Sequence, residues 1–363
     1  MSTTAIFLIA ILLLGFLITF QIAKASEYVS ILKGEKKAFE QSNRVNAFLM
    51  VVFLVLGLIG IWYCHKLLYH KTLLPFPSAS DHGEKIDTMM FITIAITGVV
   101  FFVTQILLFW FSYKYQFNEK KKAYYYPHNT RWEILWTTIP AIALCVLVGF
   151  GLYYWFQITS NPPKSALQVE ITGKQFGWIY RYQGKDNTFG KKYYKNIDEN
   201  NSNQLGIIWD DKSSHDDIVT TEALYIVKDQ PVQLHIFSRD VVHSVGLPHF
   251  RLKMDAVPGI PTTMYFTPKY TTEEMKKITN NPNFEYEIAC DQMCGNGHYS
   301  MKGVIKVVSQ AEFILWRAKQ KANYLLAFPD KDPSNPANQP AAGADSTKAS
   351  ADSAKATATV AKK

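Results

Sequence analysis

The sequence predicts a membrane α-helical anchor of four transmembrane helices followed by an all-β domain of the sandwich or barrel kind. Four runs with few or no charges, residues 4–23, 47–67, 89–113 and 134–156, each approach the roughly 20 apolar residues needed to cross a bilayer. From Leu167 onward the pattern changes to short alternating or β-branched runs: LQVEITG, FGWIYRY, ALYIV, PVQLHIFS, TTMYFTP, FEYEIAC and GVIKVVS. Gly, Pro, Asn and Asp separate them, as in an antiparallel sandwich. The near-zero mean hydropathy of the 363-residue chain is therefore the average of a membrane half and a water-facing half.

The first connection between spans carries Lys24, Lys33, Lys36, Lys37 and Arg44, and the third carries Lys114, Lys120, Lys121, Lys122 and Arg131. The second has only Lys66, Lys71 and Lys85. Positive charge marks the cytoplasmic side, so the first and third connections face inward, and both termini and everything after about residue 158 face the periplasm. The stretch AKAS, Ala23 to Ser26, looks like a signal-peptidase site. Cleavage there would leave three spans and invert both basic connections, so the first run is expected to stay as a span. The net charge of +8 is spread over these membrane edges instead of forming one stripe, which argues against a nucleic-acid partner.

Within the fourth run Pro140 is tolerable if neighbours satisfy the carbonyl it frees. Residues 184–219, rich in Asn, Asp and Lys, read as a surface excursion. Residues 329–363, Ala, Ser, Pro and Lys-rich with almost no apolar bulk, are expected to be disordered. Cys64 and Cys145 lie in apolar runs and read as buried small hydrophobes, and no CxxCH occurs to bind haem covalently.

The chemistry concentrates in CDQMCGNGHYSM, Cys290 to Met301. A disulfide would account for the two cysteines but not for His298 or Met301. Zinc prefers N and S ligands in a tetrahedron, and thioether suits it poorly. Thiolate, imidazole and thioether together favour copper, with methionine as a weak axial ligand. Two cysteines on one loop can bridge two copper ions, which calls for a second imidazole. His243 in SRDVVHSVGLP follows a β-type run and precedes a turn, and His235 and His249 compete for the same role.

From about Gly83 to Val308 the chain resembles subunit II of a haem–copper cytochrome c oxidase, through DVVHS, MDAVPG and the twelve-residue motif together. The resemblance implies four parts: residues 1–80 as an additional two-helix membrane segment, 81–158 as the family's transmembrane hairpin, 159–328 as a cupredoxin-like Greek-key copper A domain, and 329–363 as a tail. It implies a dinuclear copper centre held by His243, Cys290, Cys294, His298, Met301 and the backbone carbonyl of Gln292. Glutamate is commonest at position 292 in the family, where it also reaches a magnesium ion at the border with subunit I. Gln292 keeps the carbonyl but brings no charge to that second metal. In GKQFGWIY, Phe176 stands where the family's electron-receiving tryptophan stands, and Trp178 matches the second aromatic. Glu133 matches the carboxylate at the mouth of a proton-uptake channel.

The implied activity is that of an electron-receiving subunit. A cytochrome c, or a membrane cytochrome c domain, would reduce the copper pair, which would pass electrons to haem in subunit I, supporting oxygen reduction to water and proton pumping. Asp198, Asp210, Asp211, Asp216, Asp217 and Asp240 are candidates for steering a basic donor. Alternative readings are a quinol oxidase subunit, which would lose the copper ligands, a thiol copper chaperone, which would favour a thioredoxin-like pattern, and the copper A domain of another reductase, which would lack the membrane hairpin.

Overall fold

The computed structural model describes residues 3–73 and 75–335. Its elements run α1 (Thr3–Lys33), α2 (Glu35–Leu68), α3 (Asp81–Lys114), α4 (Thr130–Thr159), β1 (Leu167–Lys174), β2 (Gly177–Tyr182), β3 (Ile218–Thr220), β4 (Ala223–Val227) and β5 (Val232–Ser238). There follow β6 (His243–Leu247), β7 (Leu252–Ala256), β8 (Thr262–Phe266), α5 (Thr272–Ile278), β9 (Tyr286–Cys290), β10 (Lys302–Val308), α6 (Gln310–Lys319) and α7 (Asn323–Ala327). The chain divides into two compact units: Met1–Pro77 with Asp87–Leu152, and Ser78–Ile86 with the chain from Tyr153 onward.

In the first unit all four expected spans are helices long and apolar enough to cross a membrane. The helices outrun the apolar runs. Lys24 to Arg44, expected as a connection, is helical except at Gly34, because its Ala, Glu, Lys and Gln residues favour helix. Gly34 breaks the pair with a φ of 79°, a conformation open to glycine. Helix α4 continues through Pro140. Cys64 and Cys145, expected to be buried, are exposed, because they lie on helix surfaces that a bilayer, not protein, would cover.

The second unit is a two-sheet sandwich with strand orders β3-β2-β1-β5-β8 and β4-β10-β9-β6-β7. Two pairings, β1 with β5 and β4 with β10, are parallel, so the expected antiparallel pattern holds only in part. These strands are joined by crossovers instead of hairpins, and the short apolar runs carry no sign of that. Val169, Ile171, Tyr180 and Leu234 from one sheet and Leu224, Val245, Ile288 and Ile305 from the other are fully or almost fully buried between them. The residues of α3's first turn belong to this unit. Ser80 Oγ donates to the Phe250 carbonyl at 2.7 Å, and Asp81 Oδ1 accepts from the Thr267 N–H at 2.9 Å.

The excursion between β2 and β3 is more than surface. Strand β5 alternates buried and half-buried residues, but β1 is buried on both faces, because residues 184–217 fold over its outer side. Ile179 packs there with Leu205 and Ile207. Beside them Arg181, fully buried, donates to Glu170 at 3.1 Å, to the Gly190 carbonyl at 2.6 Å and to Asp217, while Lys192 also reaches Glu170 at 3.1 Å. Two cations thus balance two carboxylates in a water-poor layer, and desolvation lowers the pKa of Lys192. Residues 329–335, expected as the start of a disordered tail, are folded: Pro329–Lys331 forms a 3-10 turn and Asp332 accepts from Lys321 at 3.0 Å. The remainder of that tail, from 336, lies outside the described residues.

Removing Arg181 would strand Glu170 and Asp217 as buried carboxylates. Arg181→Met is expected to lower the unfolding free energy of the full-length protein by about 3–5 kcal/mol. Asp210→Asn, at an exposed position, is expected to change it by less than about 0.5 kcal/mol. Denaturant unfolding followed by tryptophan fluorescence checks both.

Candidate metal centre

Strand pairing assembles the site. Strand β6 pairs antiparallel with β9 in the register Val245 opposite Cys290, which carries His243, at the start of β6, to the loop that leaves β9. The loop is closed at its base by the Cys290 N–H donating to the Met301 carbonyl at 3.1 Å, and Asp291 N–H donates to Ser244 O at 3.2 Å. Inside it a 3-10 turn, His298–Ser300, returns the chain to β10. Gln175 Nε2 donates to the Cys294 carbonyl at 2.6 Å and holds the loop from β2's side.

The sulfur atoms of Cys290 and Cys294 lie 3.7 Å apart. That is nearly twice the 2.03–2.05 Å of a disulfide, and both cysteines are free. Each sulfur has an imidazole beside it: His243 Nδ1 is 3.7 Å from Cys290 Sγ, and His298 Nδ1 is 3.7 Å from Cys294 Sγ. The Gln292 carbonyl lies 3.2 Å from Cys290 Sγ, and Met301 Sδ lies 3.8 Å from Cys294 Sγ. All six expected ligands therefore converge. Among the described residues, His243, Cys290 and Cys294 form the one grouping of three or more His, Cys, Asp or Glu ligand atoms within 4.8 Å of one another. Soft sulfur with imidazole and thioether fits copper, and two unbonded thiols facing each other suit a bridge between two ions. His235 and His249 stand elsewhere. The first bonds Gln168 at 2.8 Å, and the second packs against Phe284 and Tyr286.

The surroundings orient these groups. Asp240 Oδ1 lies 2.8 Å from His243 Nε2, which fixes that nitrogen as the N–H and leaves Nδ1 with its lone pair toward the sulfurs. Burial acts to raise the Asp240 carboxyl, but the Gln175 N–H, the His243 ring and the Val241 N–H together hold it below its ordinary value. Burial, followed by the neighbouring Cys290, pushes the Cys294 thiol up to about 11. At that value the Cys294 thiol is protonated at neutral pH, so a metal binding there must displace its proton.

Of the aromatic residues, Phe176 is 43% exposed and lies over Gly295 and Gly297, while Trp178 is buried with its ring 6.2 Å from that of His243. A Cβ added at Gly297 would meet the Phe176 ring at 2.6 Å, so the loop needs glycine there for the ring to lie flat against it. Glu133 sits in the first turn of α4, half exposed, and accepts from the Asn129 N–H at 3.1 Å.

The six aspartates expected to steer a donor differ in their surroundings. Asp217 is fully buried against Arg181 and is unavailable to a partner, because the excursion closes over it. Asp240 anchors His243, Asp211 and Asp216 accept from backbone N–H groups of the excursion, and Asp198 caps its own turn. Asp210 remains exposed. Sequence reasoning missed Gln175 and the anchoring role of Asp240. The three-residue spacing from Asp240 to His243 in DVVH was the available signal.

Residues 74–153 match the family profile described as the transmembrane domain of cytochrome c oxidase subunit II, and residues 167–308 match that of its periplasmic domain. The chain is 30% identical to the alternative cytochrome c oxidase subunit 2 of Bradyrhizobium diazoefficiens, over 75% of this chain and 92% of that one. It is 26% identical to cytochrome c oxidase subunit 2 of Cereibacter sphaeroides, over 66% of this chain and 77% of that one. Among solved structures, the crystal structure of the periplasmic domain of subunit II of cytochrome oxidase of Bradyrhizobium japonicum covers 43% of this chain and 94% of that one, with 23% identity and a TM-score of 0.29.

Asp240→Asn should weaken copper binding by roughly ten- to a hundred-fold, the usual cost of losing the carboxylate behind a metal-ligating histidine. Because burial and the neighbouring Cys290 push the Cys294 thiol up to about 11, protons compete with metal across the neutral range, and apparent affinity should rise with pH. Competition titration with a copper chelator at two pH values reads both effects.

Proposed function

Because the chain belongs to the cytochrome c oxidase subunit II family, and so to a subunit of an oxidoreductase complex, we propose that it receives electrons for that complex at a dinuclear copper A centre. The observation that carries this reading is the unbonded sulfur pair, 3.7 Å apart, with an imidazole nitrogen 3.7 Å from each sulfur. When bound, a copper pair would supply a one-electron store whose charge change is shared between two metals. His243, Cys290, Cys294, His298, Met301 and the Gln292 carbonyl would hold it.

The rest is done by the chain's own residues. Asp240 sets the tautomer of His243, and the β6–β9 register fixes that ring against the loop. Cys290 and Cys294 are 8% and 4% exposed, so water is largely excluded from the sulfurs, whereas a carrier handing copper to partners needs accessible thiols. Phe176, at the surface over the ligand loop, is the proposed point of electron arrival, with Trp178 behind it against His243.

The donor in this reading is a separate cytochrome c or a membrane cytochrome c domain, and the acceptor is haem in oxidase subunit I, where oxygen is reduced and protons are pumped. Glu133 would collect protons at the start of α4, at the end that the positive-inside rule makes cytoplasmic, and both termini would lie on the periplasmic side. A magnesium ion at the subunit I border would take from Gln292 an amide oxygen without charge, so the anionic ligands would have to come from the partner subunit.

The loaded wild-type protein is expected to hold two copper ions per chain by elemental analysis. Cys290→Ser or Cys294→Ser is expected to lose the pair and hold at most one. Two ions retained by either variant would contradict a thiolate-bridged centre. In the assembled oxidase, Phe176→Ala should slow reduction by ferrous cytochrome c several-fold in stopped flow with copper content unchanged, and an unchanged rate would remove Phe176 from the path.

A further inference from the structure

We propose that the α1–α2 turn and the α3–α4 connection together form a binding face for anionic lipid headgroups, in the leaflet that the positive-inside rule makes cytoplasmic. This requires α3 and α4 to cross the bilayer and is independent of the copper reading. Helix α3 leaves the second unit at Asp87, and α4 returns to it at Tyr153, so residues 115–129 join the helix ends farthest along the chain from the β domain. The turn at Gly34 lies at that same end, because Lys36 ion-pairs with Glu119 and the Phe39 ring packs on Phe117 with centroids 5.2 Å apart. Two connections distant in sequence thus merge into one face.

The charge of that face is lopsided. Glu119, the acid within the α3–α4 connection, is taken by Lys36. Lys120, Lys121 and Lys122 are exposed and form no ion pair among the described residues, and Lys37 on α2's first turn is likewise unpaired there. Immediately after the lysines come Tyr124, Tyr125 and Tyr126, exposed by 85%, 86% and 60%. Three consecutive exposed tyrosines are costly in bulk water but suit the headgroup layer, where the ring meets apolar chains and the hydroxyl meets water. Lysines within a few residues of a span stand inside the Debye length of the membrane surface and donate to phosphate diesters there.

A nucleic acid would ask for a longer basic track without the aromatic triplet, and an acidic protein would not need the rings at that depth. Anionic lipid satisfies both parts of the face. The added helices gain a role from this. They precede residue 74, where the family match begins, and they bring Lys36 and Lys37 to the patch and anchor its edge.

The test is native mass spectrometry of the full-length chain in detergent with an equimolar mixture of phosphatidylglycerol and phosphatidylethanolamine. The wild-type protein should retain phosphatidylglycerol in preference. The variant Lys120→Gln/Lys121→Gln/Lys122→Gln should lose that preference, by on the order of five-fold per lysine removed, while Lys66→Gln/Lys71→Gln at the other helix ends keeps it. Tyr124→Ala/Tyr125→Ala, which leaves every charge in place, should weaken retention of both lipids. Equal retention of the two lipids by the wild-type protein, or an undiminished preference in the triple variant, overturns the proposal. Inorganic phosphate should not displace the lipid; displacement would mean a bare phosphate site and would overturn it as well.

Discussion

Two thiols held in contact without bonding are the constraint around which the β unit is organised. Left on a free loop, Cys290 and Cys294 could close a disulfide across their three-residue gap. They are kept apart because the loop is pinned at several points: at its base by Cys290 to Met301, on one flank by Asp291 to Ser244, and on the other by Gln175 to Cys294. The β6–β9 register then decides which histidine completes the set, since a slip of one residue would turn His243 to the opposite face of the sheet. The sandwich is in this sense a frame for a sulfur–sulfur distance; burial favours the neutral Cys294 thiol, so its thiolate would need a cation beside it.

That frame is stiffened by parts the family profile does not cover. The profile ends at residue 308, but α6 and α7 follow it and pack on the β unit. Tyr182 meets the Trp316 ring of α6, with centroids 5.0 Å apart. The Asn323 N–H donates to the Asp217 carbonyl at 2.8 Å, and Tyr324 stacks on His215 at 3.9 Å. These contacts clamp the excursion over β1 and β2, the strands from which Phe176 and Trp178 are presented. The buried Arg181 cluster beneath it balances its charges internally, so its removal is felt as stranded carboxylates more than as one lost bond.

Much of this was legible in the residues. The four spans announced themselves by length, and the ligand loop by four soft donors within twelve positions. The Asn- and Asp-rich excursion read as solvated surface because composition reports polarity and cannot report that Asp217 meets Arg181 across 36 residues. The same blindness to long-range pairing hid the parallel alignment of β1 with β5 and of β4 with β10, and Asp240 read only as a surface charge although its carboxylate also lies 2.8 Å from His243 Nε2. Cys64 and Cys145 were misread because an apolar helix in a bilayer buries its side chains in lipid, not in protein.

The proposed function stands on a pair of copper ions held at this site and sharing one electron. Electron paramagnetic resonance of the copper-loaded, full-length protein in its oxidised state tests it most directly. The expected spectrum is a hyperfine pattern from one unpaired electron shared equally between two copper nuclei. A pattern from a single copper nucleus, or a protein that stays silent after copper loading, would contradict it.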